Sequence, residues 1–208
     1  MRDILFMGAI LASVTHEMQN VMAIIKESGA LTDDILAING PPRMRHGDKL
    51  AQAQRNIQEQ VLRGRDLMLM LNGFAHAAAD FPETSDLARF ARQISILAER
   101  MVRLKECTLE RDIYEAPLPV RGNALLIMQA VYAALEALLE GCAPGDEIRL
   151  HVAPGSEETF ACVGASHSKA LPATTTVEPL MAAMNGTSRA APGSIELIFV
   201  PDPQGGLR

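Results

Sequence analysis

Apolar and small residues recur at alternating spacings of three and four along the first segment of the chain: Ile4, Met7, Leu11, Val14, Met18, Val21, Ile25, Ser28, Thr32 and Ile35. That spacing is the seam of a long helix packing in a bundle or coiled coil. It stops at Asn39-Gly40-Pro41-Pro42, where a glycine can cap a helix end and two prolines cannot continue one. A second stripe runs from about Asp48, an N-cap residue type, to Ala78, through Leu50, Ile57, Val61, Met68, Leu71 and Ala75. Two long helices joined by a short turn make an antiparallel hairpin over residues 1–79. The apolar face of a lone hairpin is open. A second copy would close it into a four-helix bundle, and twofold symmetry is the commonest way of doing so.

Ala79 to Ser85 reads as a linker, and beyond it the periodicity changes. Asp86 to Lys105 is helical, with Leu87, Phe90, Ile94, Leu97, Met101 and Leu104 on one face. Thr108 to Tyr114 has strand character, Pro117 to Gly122 is a turn region, and Asn123 to Gly141 is an apolar helix. Glu147 to Ala153 and Thr159 to Val163 alternate like strands. Gly164 to Thr176 reads as a loop, Val177 to Met184 as a short helix, and Ser194 to Val200 as a closing strand. The order predicts an α+β fold: a helical hairpin, then a domain over 86–208 with its helices on one face of a sheet.

Composition narrows the function classes. The chain has 208 residues, 48% of them hydrophobic and 21% charged, which is too apolar for disorder. A net charge of −6 argues against a nucleic-acid partner, because no basic surplus is available to neutralise phosphates. There is no Trp, and eleven Met supply adaptable packing instead. Cys107, Cys142 and Cys162 are far apart, with no CxxC pair, so neither a disulfide framework nor a cysteine metal site is expected. No apolar run reaches the ~20 residues of a membrane span. Residues 4–14 lack the basic start and cleavage site of a signal peptide, so no membrane association and a cytoplasmic location are expected.

The chemistry lies in His16-Glu17-Met18-Gln19-Asn20, within the first helix. His16 falls about 200° around from its stripe neighbours Val14 and Met18, on the outward face, and Asn20 shares that face one turn later. A neutral imidazole offers a nucleophilic lone pair near neutral pH, which makes an exposed histidine a competent phosphoryl acceptor. A solvated surface histidine is the alternative that these residues leave open. The HExxH zinc pattern is broken, because Asn20 stands where the second histidine would be. His46, His76, His151 and His167 have no convincing catalytic partners in the sequence. Arg43 and Arg45, in the interhelical turn, read as solvated loop charges.

The run Ala12-Ser13-Val14-Thr15-His16-Glu17-Met18-Gln19-Asn20-Val21, followed by a turn and a second long helix, resembles the dimerisation and phosphotransfer domain of two-component sensor histidine kinases. Val21 occupies a position where that family commonly has proline. The resemblance implies that His16 is phosphorylated, that Glu17 is the neighbouring acid assisting its ring, and that Asn20 orients water when such proteins act as phosphatases. Residues 86–208 resemble a reduced form of the kinase ATP-binding domain. The family's magnesium-holding asparagines are replaced within Ala133-Ala134-Leu135-Glu136-Ala137, and alanine has no oxygen to ligate the ion. Cys162-Val163-Gly164-Ala165-Ser166-His167 carries no acid where the adenine-binding aspartate belongs, and the glycine-rich lid motif is missing.

The resemblance therefore implies a degenerate kinase scaffold with no cofactor and no metal of its own. It would act as a histidine phosphotransferase of a bacterial phosphorelay, exchanging phosphoryl groups with response-regulator receiver domains as a homodimer. Gln19, Ala23 and Glu27, just below His16, are the expected receiver contacts. Three other readings stay open: a receiver phosphatase using Asn20, a non-catalytic dimeric adaptor, and a kinase that binds nucleotide through other residues.

Overall fold

The computed structural model describes residues 2–38, 47–79, 84–155, 159–165 and 172–202. The chain forms two compact units, Met1–Gly73 and Phe74–Arg208. The expected helix stop at Asn39-Gly40-Pro41-Pro42, the turn residues Arg43, Arg45 and His46, the linker residues 80–83, and Ser166-His167 lie outside the described residues.

The first unit is the predicted antiparallel hairpin, built from α1 (Arg2–Ile38) and α2 (Gly47–Ala79). Its seam differs from the expected stripes. On α1, Val14, Val21, Ser28 and Ile35 are buried as predicted, but Met7 and Leu11 stand 38% and 55% exposed. Phe6, Ile10 and Glu17 are buried in their stead. On α2, Val61 and Met68 are exposed, while Ala53 and Leu67 are buried. The physical reason is that each helix carries an apolar band wider than one neighbour can cover. At roughly 100° per residue, the uncovered row Met7, Leu11, Met22 and Leu36 lies roughly a quarter turn to one side of the buried row. Gly64 permits the close approach of the two helices: a Cβ added there would meet Val21 Cγ1 at 3.2 Å.

The second unit is an α+β arrangement. A five-stranded sheet of β2 (Thr108–Ile113), β3 (Pro119–Arg121) excepted, β4 (Glu147–Pro154), β5 (Thr159–Ala165), β6 (Thr187–Ala191) and β7 (Ser194–Phe199) has the order β2-β4-β5-β7-β6. β2 runs parallel to β4, and every other pair is antiparallel. The parallel pair needs a crossover, and α4 (Ala124–Leu139) supplies it. β3 pairs instead with β1 (Thr84–Asp86) in a small antiparallel ribbon. Neither strand was expected, because both fall in segments that read as linker and turn. β6 was also unforeseen: its exposed edge Thr-Ser-Arg-Ala-Ala has no apolar alternation to announce it.

Burial alternates along β4, with Ile148, Leu150 and Val152 facing the core. Ile195, Leu197 and Phe199 of β7 join them. Over this inner face pack α3 (Leu87–Leu104), α4 and α5 (Val177–Ala182). α3 buries Leu87, Phe90, Ile94 and Leu97 as predicted, but Leu104 is 69% exposed and Val102 is buried in its stead. Leu104 is the last residue of the helix. Asp86 caps α3, its carboxylate accepting from the backbone N–H groups of Arg89 and Leu118, and Asn123 caps α4 by accepting from Leu125 N–H. The expected loop from Gly164 starts later, because β5 continues through Ala165 and Gly164 is paired with both Arg149 and Ser194. The outer sheet face is polar: Arg149 donates to Glu110 at 2.6 Å, and His151 lies 2.7 Å from Asp112.

Candidate functional site around His16

His16 sits near the middle of α1 and is exposed, as are Gln19, Asn20, Ala23 and Glu27. Helical spacing puts these side chains in one band, because residues three and four apart are neighbours on a helix surface. The band lies roughly a quarter turn from the seam, on the side away from the uncovered apolar row. The expected sharing of a face by His16 and Asn20 is met by a contact: Asn20 Nδ2 lies 3.4 Å from His16 Nδ1. Leu31, one turn beyond Glu27 and 45% exposed, extends the band with an apolar residue that sequence reasoning missed.

Glu17 takes a different direction from its neighbour. Only 7% of the residue is exposed, and its carboxylate accepts a 2.8 Å hydrogen bond from Arg63 Nη2 of α2. The pair bridges the two helices at the level of His16, with the arginine side chain 44% exposed and the glutamate side chain 9%. The seam needs this partner, because a buried carboxylate without a cation or donors is strongly disfavoured. Arg63 was not foreseen. A signal did exist: Glu17 occupies a seam position between Val14 and Val21, and an acid in an apolar row demands a cation from the facing helix.

In the second unit, burial is the leading influence on Cys107, Tyr132 and Cys142. Desolvation pushes the Cys142 thiol from 9.0 up to about 11, with the charges of Cys107 and Asp146 adding to it. Burial and the nearby Asp146 likewise raise Cys107. Both are free thiols, Cys107 buried and Cys142 half-buried. Tyr132 of α4 is raised by burial and by Glu136, against a smaller opposing effect of Arg100. Ala133 is buried on α4, Ala137 is half-buried, and Glu136 is exposed. Among the described residues, no group of three or more His, Cys, Asp or Glu side chains is placed to hold a metal ion. No helix among them is long and apolar enough to cross a membrane.

No protein-family model matches the chain, and no curated protein matches it. Similar solved structures do exist. Histidine kinases are among them. A mycobacterial sensor histidine kinase, MprB, is 12% identical with a TM-score of 0.49, over 59% of this chain and 99% of that one. Histidine kinase AdeS of Acinetobacter baumannii is 12% identical with a TM-score of 0.47, over 91% of this chain and 98% of that one. Histidine kinase ThkA, solved in complex with the response regulator protein TrrA, is 14% identical with a TM-score of 0.45, over 95% of this chain and 62% of that one.

Proposed function

We propose that this chain is a histidine phosphotransferase of two-component signalling, relaying phosphoryl groups between receiver domains through His16 without using ATP. The observation that carries the reading is the exposed His16–Asn20 pair on an outward band of α1. Gln19, Ala23 and Glu27 continue that band and leave a docking surface beside the ring. In the step itself, the imidazole lone pair attacks the phosphorus of a receiver's aspartyl phosphate. The N–P bond forms as the P–O bond to aspartate breaks, and its electron pair returns to the carboxylate. The receiver supplies its own Mg²⁺, so this chain needs neither metal nor nucleotide. Reversal of the step onto another receiver completes the relay.

Two further features support this reading. Ala133 and Ala137 stand on α4 where the resemblance calls for magnesium-holding asparagines, which removes charge compensation for a triphosphate. Met7, Leu11, Met22 and Leu36 of α1, with Val61 and Met68 of α2, leave apolar surface uncovered on the hairpin. A second copy docked on that surface forms a homodimeric four-helix bundle, and it leaves His16 on the outside of each hairpin.

The test is incubation with a receiver carrying labelled aspartyl phosphate. Label is expected to appear on the wild-type chain and to be lost in His16→Ala. Release of inorganic phosphate alone, without label on the chain, would instead identify a receiver phosphatase. An unchanged receiver phosphate with both proteins would identify an adaptor, and labelling of His16 by ATP alone would restore the kinase reading.

A further inference from the structure

A phosphotransfer histidine must present one ring nitrogen with a free lone pair, so something has to fix which nitrogen carries the proton. The neighbouring acid is the obvious candidate for this task. Here its carboxylate is committed to the hairpin seam, 2.8 Å from Arg63 Nη2, and the residue is buried. The side chain at His16 Nδ1 is instead the carboxamide of Asn20, one turn along, at 3.4 Å. Spacing at this long end is common in catalytic hydrogen bonds that tighten when the reaction partner docks.

We infer that Asn20 is the positioning residue that sets the tautomer of His16, in place of Glu17. The inference rests on the phosphotransfer reading and specifies how that site is controlled. A carboxamide presents either a donor or an acceptor, and the two ends have the same shape. With Nδ2 turned to the ring, Nδ1 accepts and the proton resides on Nε2. That ring has no lone pair at Nε2, its outermost nitrogen. A half-turn of the carboxamide puts Oδ1 at the same place. Nδ1–H then donates to Oδ1, and Nε2 carries the lone pair that attacks phosphorus. As the N–P bond forms and the P–O bond to aspartate breaks, the ring keeps its Nδ1 proton and gains positive charge. The Asn20 oxygen, already aimed at that proton, stabilises the charge as it develops. The orientation of one exposed amide thereby switches the histidine between a resting and a nucleophilic form, and a docked receiver can bias it by offering a partner to the free end of the amide.

The test is nitrogen NMR of the histidine-labelled full chain at about pH 8, above the ordinary histidine range, run beside the labelled-receiver assay. Asn20→Asp can only accept, so it is expected to move the proton to Nδ1 and to keep or speed phosphoryl uptake. Asn20→Leu leaves the ring to its own mixture of tautomers, mostly with the proton on Nε2, and is expected to slow uptake several-fold. Glu17→Gln is expected to leave the tautomer ratio unchanged. A ratio that ignores both Asn20 substitutions, or one that moves with Glu17→Gln, overturns the inference even while label still reaches His16. Tautomers that respond as stated while no label reaches His16 sink the transfer reading, and with it the role given to Asn20.

Discussion

Glu17 and Arg63 tie α1 to α2 at the level of His16. Removing one partner of a fully buried pair costs about 3–5 kcal/mol. The arginine side chain here is 44% exposed, so solvent screens part of the interaction and about 1–2 kcal/mol is expected for Arg63→Ala. Replacing both partners together by Glu17→Met and Arg63→Met is expected to recover most of that loss, since packed apolar side chains suit the seam as well. Urea unfolding of the single and double variants measures the coupling, and strictly additive losses would refute it. At this scale the sequence was informative where partners are close along the chain. The contact of Asn20 with His16 follows from helical spacing. Arg63 is separated from Glu17 by a whole helix and a turn, and no local rule reaches across that distance.

The helices of the first unit each present more apolar surface than their one neighbour covers. Met7, Leu11 and Met22 are exposed along one side of α1, with Val61 and Met68 exposed on α2. A charge placed in this row, as in Leu11→Glu with Met22→Glu, is expected to convert a dimer into a monomer in sedimentation equilibrium while leaving helix content intact. A wild-type chain that is monomeric at tens of micromolar would remove the bundle from the proposal. The same row explains why the predicted stripes were offset. Regular spacing identifies a helix and its apolar band, but not which half of a wide band meets the neighbour within one chain. α4 was easier to read, because it is apolar on nearly all sides and Asn123 marks its start. β1, β3 and β6 were not legible, because short or edge strands owe their existence to pairing partners rather than to their own side chains.

At the scale of the molecule, the two units are constructed on different principles: a hairpin of two long helices, and a sheet with three helices over its inner face. In the sequence, helical spacing gives way to mixed alternation after residue 85, whereas the second unit begins at Phe74. The relative direction of the strands was not readable in the same way, since parallel and antiparallel partners share one alternation. That direction has a consequence for how the second unit assembles. β6 and β7 meet through a tight connection, with Ala191 opposite Ser194. β2 must instead find β4 across an intervening helix, and the Glu110–Arg149 contact between them spans 39 residues. Closing so long a loop carries an entropic cost before any pairing offsets it. Pulsed hydrogen exchange during refolding is therefore expected to protect the amides of β6 and β7 before those of β2. Simultaneous protection would mean that the sheet condenses in a single step. If β2 does arrive last, the newly made chain passes through an interval in which the edge of β4 is bare, and that interval is when the molecule is most exposed to pairing with the wrong strand.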